Sequence, residues 1–248
     1  MKRSTLAVAV FLLATSAMSQ TAEEIITQSE NVFKGKTSIG TYEMKVVTPE
    51  YSREMKMDYW WDDENDRALI KTIAPKKEAG NKWLKIGNEM WNYLKTTETT
   101  IKIPPSMMLQ SWNGSDFTND DLARESSLND DYTHVVISEE EINGAACWKI
   151  VSTPKPNAAV VWGKLYTWVR KEDFLPAVTQ FYDEKGKLVR YMTYSEIQTL
   201  DGRKVPTKWS MYNKVKPGHR TEFYVREIKF DRNISDRIFS FRELERGN

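Results

Sequence analysis

A period-two alternation of apolar residues, interrupted at short intervals by glycine turns, limits this chain more than any other feature. Met55, Met57, Tyr59 and Trp61 alternate with Glu54, Lys56 and Asp58. Tyr42, Met44 and Val46 do the same against Glu43 and Lys45. Successive side chains of a strand point to opposite faces, so this spacing lines one side of a sheet. Gly87-Asn88, Asn143-Gly144, Lys185-Gly186, Asp201-Gly202 and Pro217-Gly218 punctuate the strand-like runs. Asn-Gly and Asp-Gly supply the positive φ angles of tight hairpins. Hairpins in series make neighbouring strands antiparallel. The spacing predicts about eleven strands, the range of sandwiches and barrels, and that many twisted strands curl.

Two stretches leave this pattern. Ala22 to Phe33 has Ile25, Ile26, Val32 and Phe33 near one helical face. Thr21 is its expected N-cap and Gly35 its stop. Residues 104–128 break the meander in mid-chain. Pro104-Pro105 ends a strand, and Ser106 is placed to cap a turn carrying Met107, Met108 and Leu109. Thr118 then reads as the N-cap of a short helix with Asp120 and Asp121 in its first turn. Ser235 to Phe239 reads as a last helical turn.

The N-terminus reads as a targeting leader. Lys2 and Arg3 precede the apolar run Leu6 to Ala14, and Ala17-Met18-Ser19 places small residues before a cut at Gln20. That is the anatomy of a secretory signal peptide. Residues 1–19 are therefore expected to be removed, leaving residues 20–248 as one domain. The 36 basic residues fall to 34 against 35 acidic, so the net charge goes from +1 to −1. A near-neutral exported protein without a basic stripe is a poor nucleic-acid binder. No later stretch approaches the ~20 apolar residues of a spanning helix. The one cysteine, Cys147, rules out an internal disulfide, and no Cys stands at the cut to take a lipid anchor.

Catalytic chemistry finds little support in the residues. There is no Gly-x-Ser-x-Gly elbow, P-loop, Gly-x-Gly-x-x-Gly or His-Glu-x-x-His. His134 falls in a strand and His219 in a turn, with no spacing that suggests a metal site. Ser115-Asp116 lacks a base that the sequence would fix nearby. Cys147, between Ala146 and Trp148, reads as a buried, inert thiol. Asp62 to Asp66 reads as a solvated hairpin tip, since it lacks the spaced ligands of a calcium loop. No catalytic residue, metal or cofactor is expected.

The informative excess is aromatic and sulfur-rich: nine Trp, and eight Met beyond the leader. Thioether side chains fill irregular, adaptable apolar space. Some strands carry large apolar groups on both faces. Trp60 opposes Trp61, and Tyr166 with Trp168 opposes Leu165 with Val169. Both faces of such a sheet must be covered. Helices can cover part, and a hydrophobic ligand inside a half-closed barrel can occupy the rest.

The run Ser111-Trp112-Asn113-Gly114-Ser115-Asp116-Phe117-Thr118-Asn119-Asp120-Asp121-Leu122 resembles the signature of the outer-membrane lipoprotein-sorting protein family, a LolA-like family of periplasmic proteins. Ile103 to Ser106, Gly80 to Leu84, Met90 to Tyr93 and Phe239 to Leu244 fit the same family. Asn113 stands where that family has an apolar residue. The resemblance implies an unclosed antiparallel β-barrel, a half-barrel meander with an N-terminal helix and short helices over its concave side. It implies a non-catalytic periplasmic carrier that shields the acyl chains of a lipid or lipoprotein on the way to the outer membrane. The implied partners are those acyl chains, an inner-membrane exporter and an outer-membrane acceptor, with only transient membrane contact. Within the motif, Gly114, Ser115, Asp116, Phe117, Asp121 and Leu122 are expected to be structural. Period two makes Met55, Met57, Tyr59 and Trp61 candidate lipid-binding wall residues, and the mid-chain break makes Met107, Met108 and Leu109 a candidate lid. The alternative is a non-catalytic envelope binding or scaffold module, accessory to a membrane exporter, with its aromatic residues on an outer, wet face.

Overall fold

A computed structural model describes residues 20–123, 128–158 and 160–246; the leader lies outside the described residues. The chain is mainly β, with thirteen strands in one antiparallel sheet. They are β1 Thr37–Val47, β2 Ser52–Asp62, β3 Arg67–Ala74, β4 Lys82–Ile86, β5 Glu89–Leu94, β6 Thr99–Lys102 and β7 Tyr132–Ile142. β8 Ala145–Pro154, β9 Lys164–Arg170, β10 Pro176–Tyr182, β11 Leu188–Leu200, β12 Arg203–Asn213 and β13 Arg220–Phe230 follow. Among the described residues four α-helices accompany them: α1 Ala22–Lys34, α2 Asn119–Ala123, α3 Leu128–Asp131 and α4 Phe241–Glu245.

The strand order is β6-β5-β4-β3-β2-β1-β13-β12-β11-β10-β9-β8-β7. Two meanders thus run outward and back, meeting where β1 pairs with β13 from Ser38↔Phe230 to Val47↔Arg220. β6 and β7 are the two far edges, and the sheet does not close into a barrel. The chain between them, residues 103–131, has to travel from one edge to the other.

All five glycine turns read from the sequence are hairpin tips, joining β4 to β5, β7 to β8, β10 to β11, β11 to β12 and β12 to β13. The strand count exceeds the expected eleven because other turns use different residues. The tips after β5 and β9 place Glu98 (φ 51°) and Phe174 (φ 58°) in the left-handed region. Few non-glycine residues adopt that conformation, so such turns carry no sequence signal.

The helix α1 begins with a capping box. Thr21 Oγ1 accepts from the Glu24 backbone N–H at 3.2 Å, and the Glu24 carboxylate accepts from the Thr21 N–H at 2.9 Å. A cap of this kind contributes about 1 kcal/mol. Gly35, at φ 56°, ends the helix. Ile25 and Ile26 are buried against Ile150 and Val169 of β8 and β9, while Val32 packs against the Tyr59–Trp61 cluster. α1 therefore lies on the inner face of the sheet and touches both meanders.

The outer face is covered at one end by the C-terminal segment. Phe239 and Leu244 are buried on Leu69, Leu84 and Tyr93, with Trp60, Ile234 and Ile238 around them. Lys82, 2% exposed, donates from Nζ to the Arg246 carbonyl at 2.8 Å and to the Glu243 carbonyl. That ammonium satisfies carbonyls which the end of α4 leaves without helical partners. Trp60 thus faces this outer cover and Trp61 the inner side, as their adjacency requires. Replacing Leu244, fully buried, by Ala removes the anchor of α4. Denaturant unfolding of Leu244→Ala is expected to show a loss of about 2–5 kcal/mol.

Candidate functional site

The described parts of the crossing segment, residues 103–123 and 128–131, form the roof of the inner face, and their docking defines the site. After β6 it makes a 3-10 turn, Pro105–Met107, capped by Pro104 without a side-chain bond. Ser106 is therefore not the cap that the sequence suggested, because Pro104 occupies that position. A second 3-10 turn, Trp112–Gly114, buries Trp112 to 2% exposure. Asn113 and Gly114 both have positive φ, 50° and 67°. Asn tolerates this region better than most residues, so two consecutive left-handed positions are served by the two residue types best suited to them. Thr118 then caps α2 as expected: its Oγ1 accepts from the Asp121 N–H at 3.2 Å, and its own N–H donates to the Asp121 carboxylate at 2.7 Å.

Arg190 of β11 pins this roof to the sheet. Its guanidinium donates to both carboxylate oxygens of Asp121, one at 2.8 Å, and to the Asp116 carbonyl at 2.8 Å. It stands over the adjoining rings of Trp162 and Phe181, 4.5 and 4.6 Å from their centroids. Its side chain is only 4% exposed. Asp116 is bound independently. Its carboxylate accepts from Thr221 Oγ1 at 2.9 Å and Asn213 Nδ2 at 3.0 Å, and its N–H donates to Thr221 Oγ1 at 2.9 Å. Asp116 thus ties the segment to β12 and β13. Ser115 does cap locally: its hydroxyl donates to the Trp112 carbonyl and accepts from the Phe117 N–H. Phe117 meets Phe223 edge-on at 5.0 Å.

Under this roof lies a cavity of about 330 Å³. Met57, Tyr59 and Trp61 of β2 line it, with Trp209 and Phe223 on the same face of the sheet. Trp112, Phe117 and Leu122 line it from the roof, and Trp162, Leu165 and Phe181 from the far meander. Tyr42 stacks on Tyr59 at 4.3 Å and 18° and leans on Trp209 at 5.6 Å. Charged groups border it too: Glu30, Lys34, Lys85, Asp120, Asp121 and Asp131.

The candidate wall and lid residues are divided by this geometry. Met57, Tyr59 and Trp61 border the cavity. Met55 shares their face but is buried among Met44, Val46 and Trp112 and does not border it. Met107, Met108 and Leu109 do not border it. Met108 packs into the cluster around Trp112, Met107 is half-buried, and Leu109 is 57% exposed. The roof turns its later residues inward because the Asp116 and Asp121 anchors face the sheet. Sequence reasoning missed Arg190 and Lys85. The available signal was a single cation on an otherwise apolar period-two face: Arg190 beside Met192 and Tyr194, Lys85 beside Trp83.

The remaining titratable candidates are dispersed. His134 is buried in β7, with Nδ1 2.7 Å from Ser152 Oγ of the neighbouring strand. Burial pushes its pKa below the usual imidazole value. Ser115 spends its hydroxyl on backbone groups of the roof. Cys147 is buried, and burial pushes its thiol pKa up. The Asp62–Asp66 tip spends Asp62 on Asn65 and Arg67. Among the described residues no cluster of His, Cys, Asp and Glu could hold a metal ion.

A family model described as "Uncharacterized protein" matches residues 64–246. The chain belongs to that family. Its fold is LolA-like. A DUF1329 family protein from Desulfovibrio piger superposes with TM-score 0.80 at 21% identity, over 90% of this chain and 97% of that one. A putative outer membrane lipoprotein-sorting protein domain from Vibrio parahaemolyticus gives 0.78 at 23%, over 91% and 98%. A LolA superfamily protein from Nitrosomonas europaea gives 0.76 at 20%, over 91% and 100%. No curated protein matches the sequence.

Two changes probe the roof. Asp121→Ala leaves the Arg190 guanidinium buried with its carboxylate removed. Breaking such a pair costs about 3–5 kcal/mol, read as a lowered denaturant midpoint. At the 3-10 turn, Gly114→Val puts a β-branched residue at positive φ, whereas Asn113→Ala loses only a tolerant residue. Thermal melts are expected to show a larger drop for Gly114→Val; equal drops would mean that its backbone angle is not what the motif needs.

Proposed function

We propose that the protein is a periplasmic carrier, residues 20–248 behind a cleaved leader, that shields acyl chains of a lipid or lipoprotein during transport towards the outer membrane. The apolar cavity between sheet and roof carries this reading. Taking an acyl chain into water costs ~0.8 kcal/mol per CH₂, so a carrier has to enclose the chain. Met57, Tyr59 and Trp61 are the proposed acyl-contacting wall, with Met55 packed beside Met57 and the Gly114–Leu122 motif holding the roof. Met107, Met108 and Leu109 then form the outer part of the roof rather than a surface against the ligand. About 330 Å³ lies at the lower end of the ~300–1,000 Å³ of ordinary ligand pockets. One acyl chain suits that volume better than two or three. The fold shared with a lipoprotein-sorting protein domain and a LolA superfamily protein supports the same class. Among the described residues no helix is long and apolar enough to cross a membrane. An inner-membrane exporter and an outer-membrane acceptor are the proposed partners.

A second reading, a non-catalytic binding or scaffold module, draws on one observation. Tyr166, Gln180, Tyr191 and Tyr212 are successive cross-strand partners on the outer face, and the last two rings stack at 4.8 Å. Mass spectrometry of lipids co-purified with the native, detergent-free protein separates the two. The carrier reading expects stoichiometric acyl lipid, lost in Met57→Glu. Folded wild-type protein that neither retains acyl lipid nor saturably binds a fluorescent fatty acid would leave the module reading.

A further inference from the structure

The cavity wall is not uniformly apolar, and its charges are not placed at random. The roof contributes carboxylates, Asp120 and Asp121 from α2 and Asp131 from α3. Asp121 is committed to Arg190. The cations come from elsewhere: Lys34 from the last turn of α1, one turn after Glu30, and Lys85 from β4. Lys85 is the unusual one. It sits on the inner face of a strand between Ala68 and Met90, its cross-strand partners, and is 3% exposed. Its ammonium lies 5.4 Å from the ring centroid of Trp61. The Trp61 indole N–H, in a side chain only 9% exposed, has no hydrogen-bond partner.

Burying an ammonium in an aromatic wall is costly unless it is paired. Lys85 is paired, with Asp66, but on unequal terms. Asp66 belongs to the β2–β3 hairpin tip and its side chain remains 41% exposed. An ammonium has three donors, and one carboxylate oxygen of Asp66 accepts one of them. A buried cation facing a cavity, with a solvated counter-ion reached from outside, is arranged to exchange or share that counter-ion. The surface next to it is aromatic and apolar, which suits an alkyl chain.

We propose that Lys85 is the headgroup site of this cavity: the ligand is a single-chain amphiphile with an anionic head, carboxylate or phosphate monoester, held by Lys85 beside Trp61, with Asp66 as the resident counter-ion. This rests on the carrier reading and narrows it. The chain of the ligand runs along Tyr59 and Met57, the next residues on the same face of β2. A protein-borne acyl chain, which has no free anionic end, gains nothing from Lys85.

The test measures equilibrium binding of hexadecanoate, hexadecyl phosphate and hexadecanol to the full mature chain, at a pH where both acids are ionised. Wild type is expected to bind at least one of the two anions about tenfold more tightly than the alcohol, the scale of one charge-assisted hydrogen bond. The better anion identifies the head. Lys85→Met is expected to abolish that preference and leave alcohol binding within about twofold. Asp66→Asn, which removes the competing carboxylate at a φ that Asn tolerates, is expected to raise anion affinity without changing the alcohol. The two substitutions thus move anion binding in opposite directions, which a purely structural Lys85–Asp66 pair would not do. Equal affinity of wild type for anions and alcohol overturns the headgroup site and leaves the carrier standing. No binding of any of the three overturns the carrier reading itself. If Lys85→Met does not fold, the wild-type preference and Asp66→Asn still decide: an unchanged or weakened anion affinity in Asp66→Asn overturns the proposal.

Discussion

The Arg190–Asp121 pair carries more of this architecture than any other contact. A sheet of thirteen strands that stays open has two distant edges, and the chain has to pass from β6 to β7 without a ladder to guide it. A guanidinium that is 4% exposed requires its carboxylate partner. The bidentate geometry then fixes where α2 can sit on β11. Asp116 adds a second, independent fix on β12 and β13. Together they hold the roof at a set height above the inner face, and that height makes a cavity rather than a collapsed core.

The two-faced strands find their cover in three different ways. The C-terminal segment covers the outer face of β3–β5, held by Leu244 and by the Lys82 ammonium on the helix end. α1 covers part of the inner face through Ile25 and Ile26. The roof covers the rest at a distance, leaving Tyr42, Tyr59, Trp209 and Phe223 to pack on one another along the cavity. A cavity with aromatic walls survives here because those rings support each other from the sheet side.

The fold was legible wherever one physical cause dominated. Period two placed Met57, Tyr59 and Trp61 on one face, and glycine turns located five hairpin tips, because a side-chain period and a positive φ leave direct traces in sequence. The capping box of α1 was legible for the same reason: Thr21 and Glu24 act within one turn. What escaped depends on long-range docking. The turns at Glu98 and Phe174 use residues with no turn signal, so strands were undercounted. The Met107–Leu109 triplet looked like the business side of the roof, yet Asp116 and Asp121 orient the segment so that Trp112, Phe117 and Leu122 face inward instead. Lys85 and Arg190 read as surface charges by residue type. Only their alternation with apolar neighbours marked them as inward.

Openness sets the limits on what such a cavity can hold. In a closed barrel the interior volume follows from strand number and shear, and changing it means breaking a hydrogen-bonded ladder. Here no ladder joins β6 to β7. The enclosed volume depends instead on how a segment lacking strand pairing sits on side chains. Met57, Met90, Met192 and Met211 border that volume, and thioethers repack with little cost in rotamer strain. The rigid and the adaptable parts are therefore separated: the sheet and its aromatic wall are fixed by backbone pairing, while the roof is fixed at a few charged points with apolar contact between them. Ligand size is then governed by the adaptable part, and ligand chemistry by the few polar groups that the rigid wall presents.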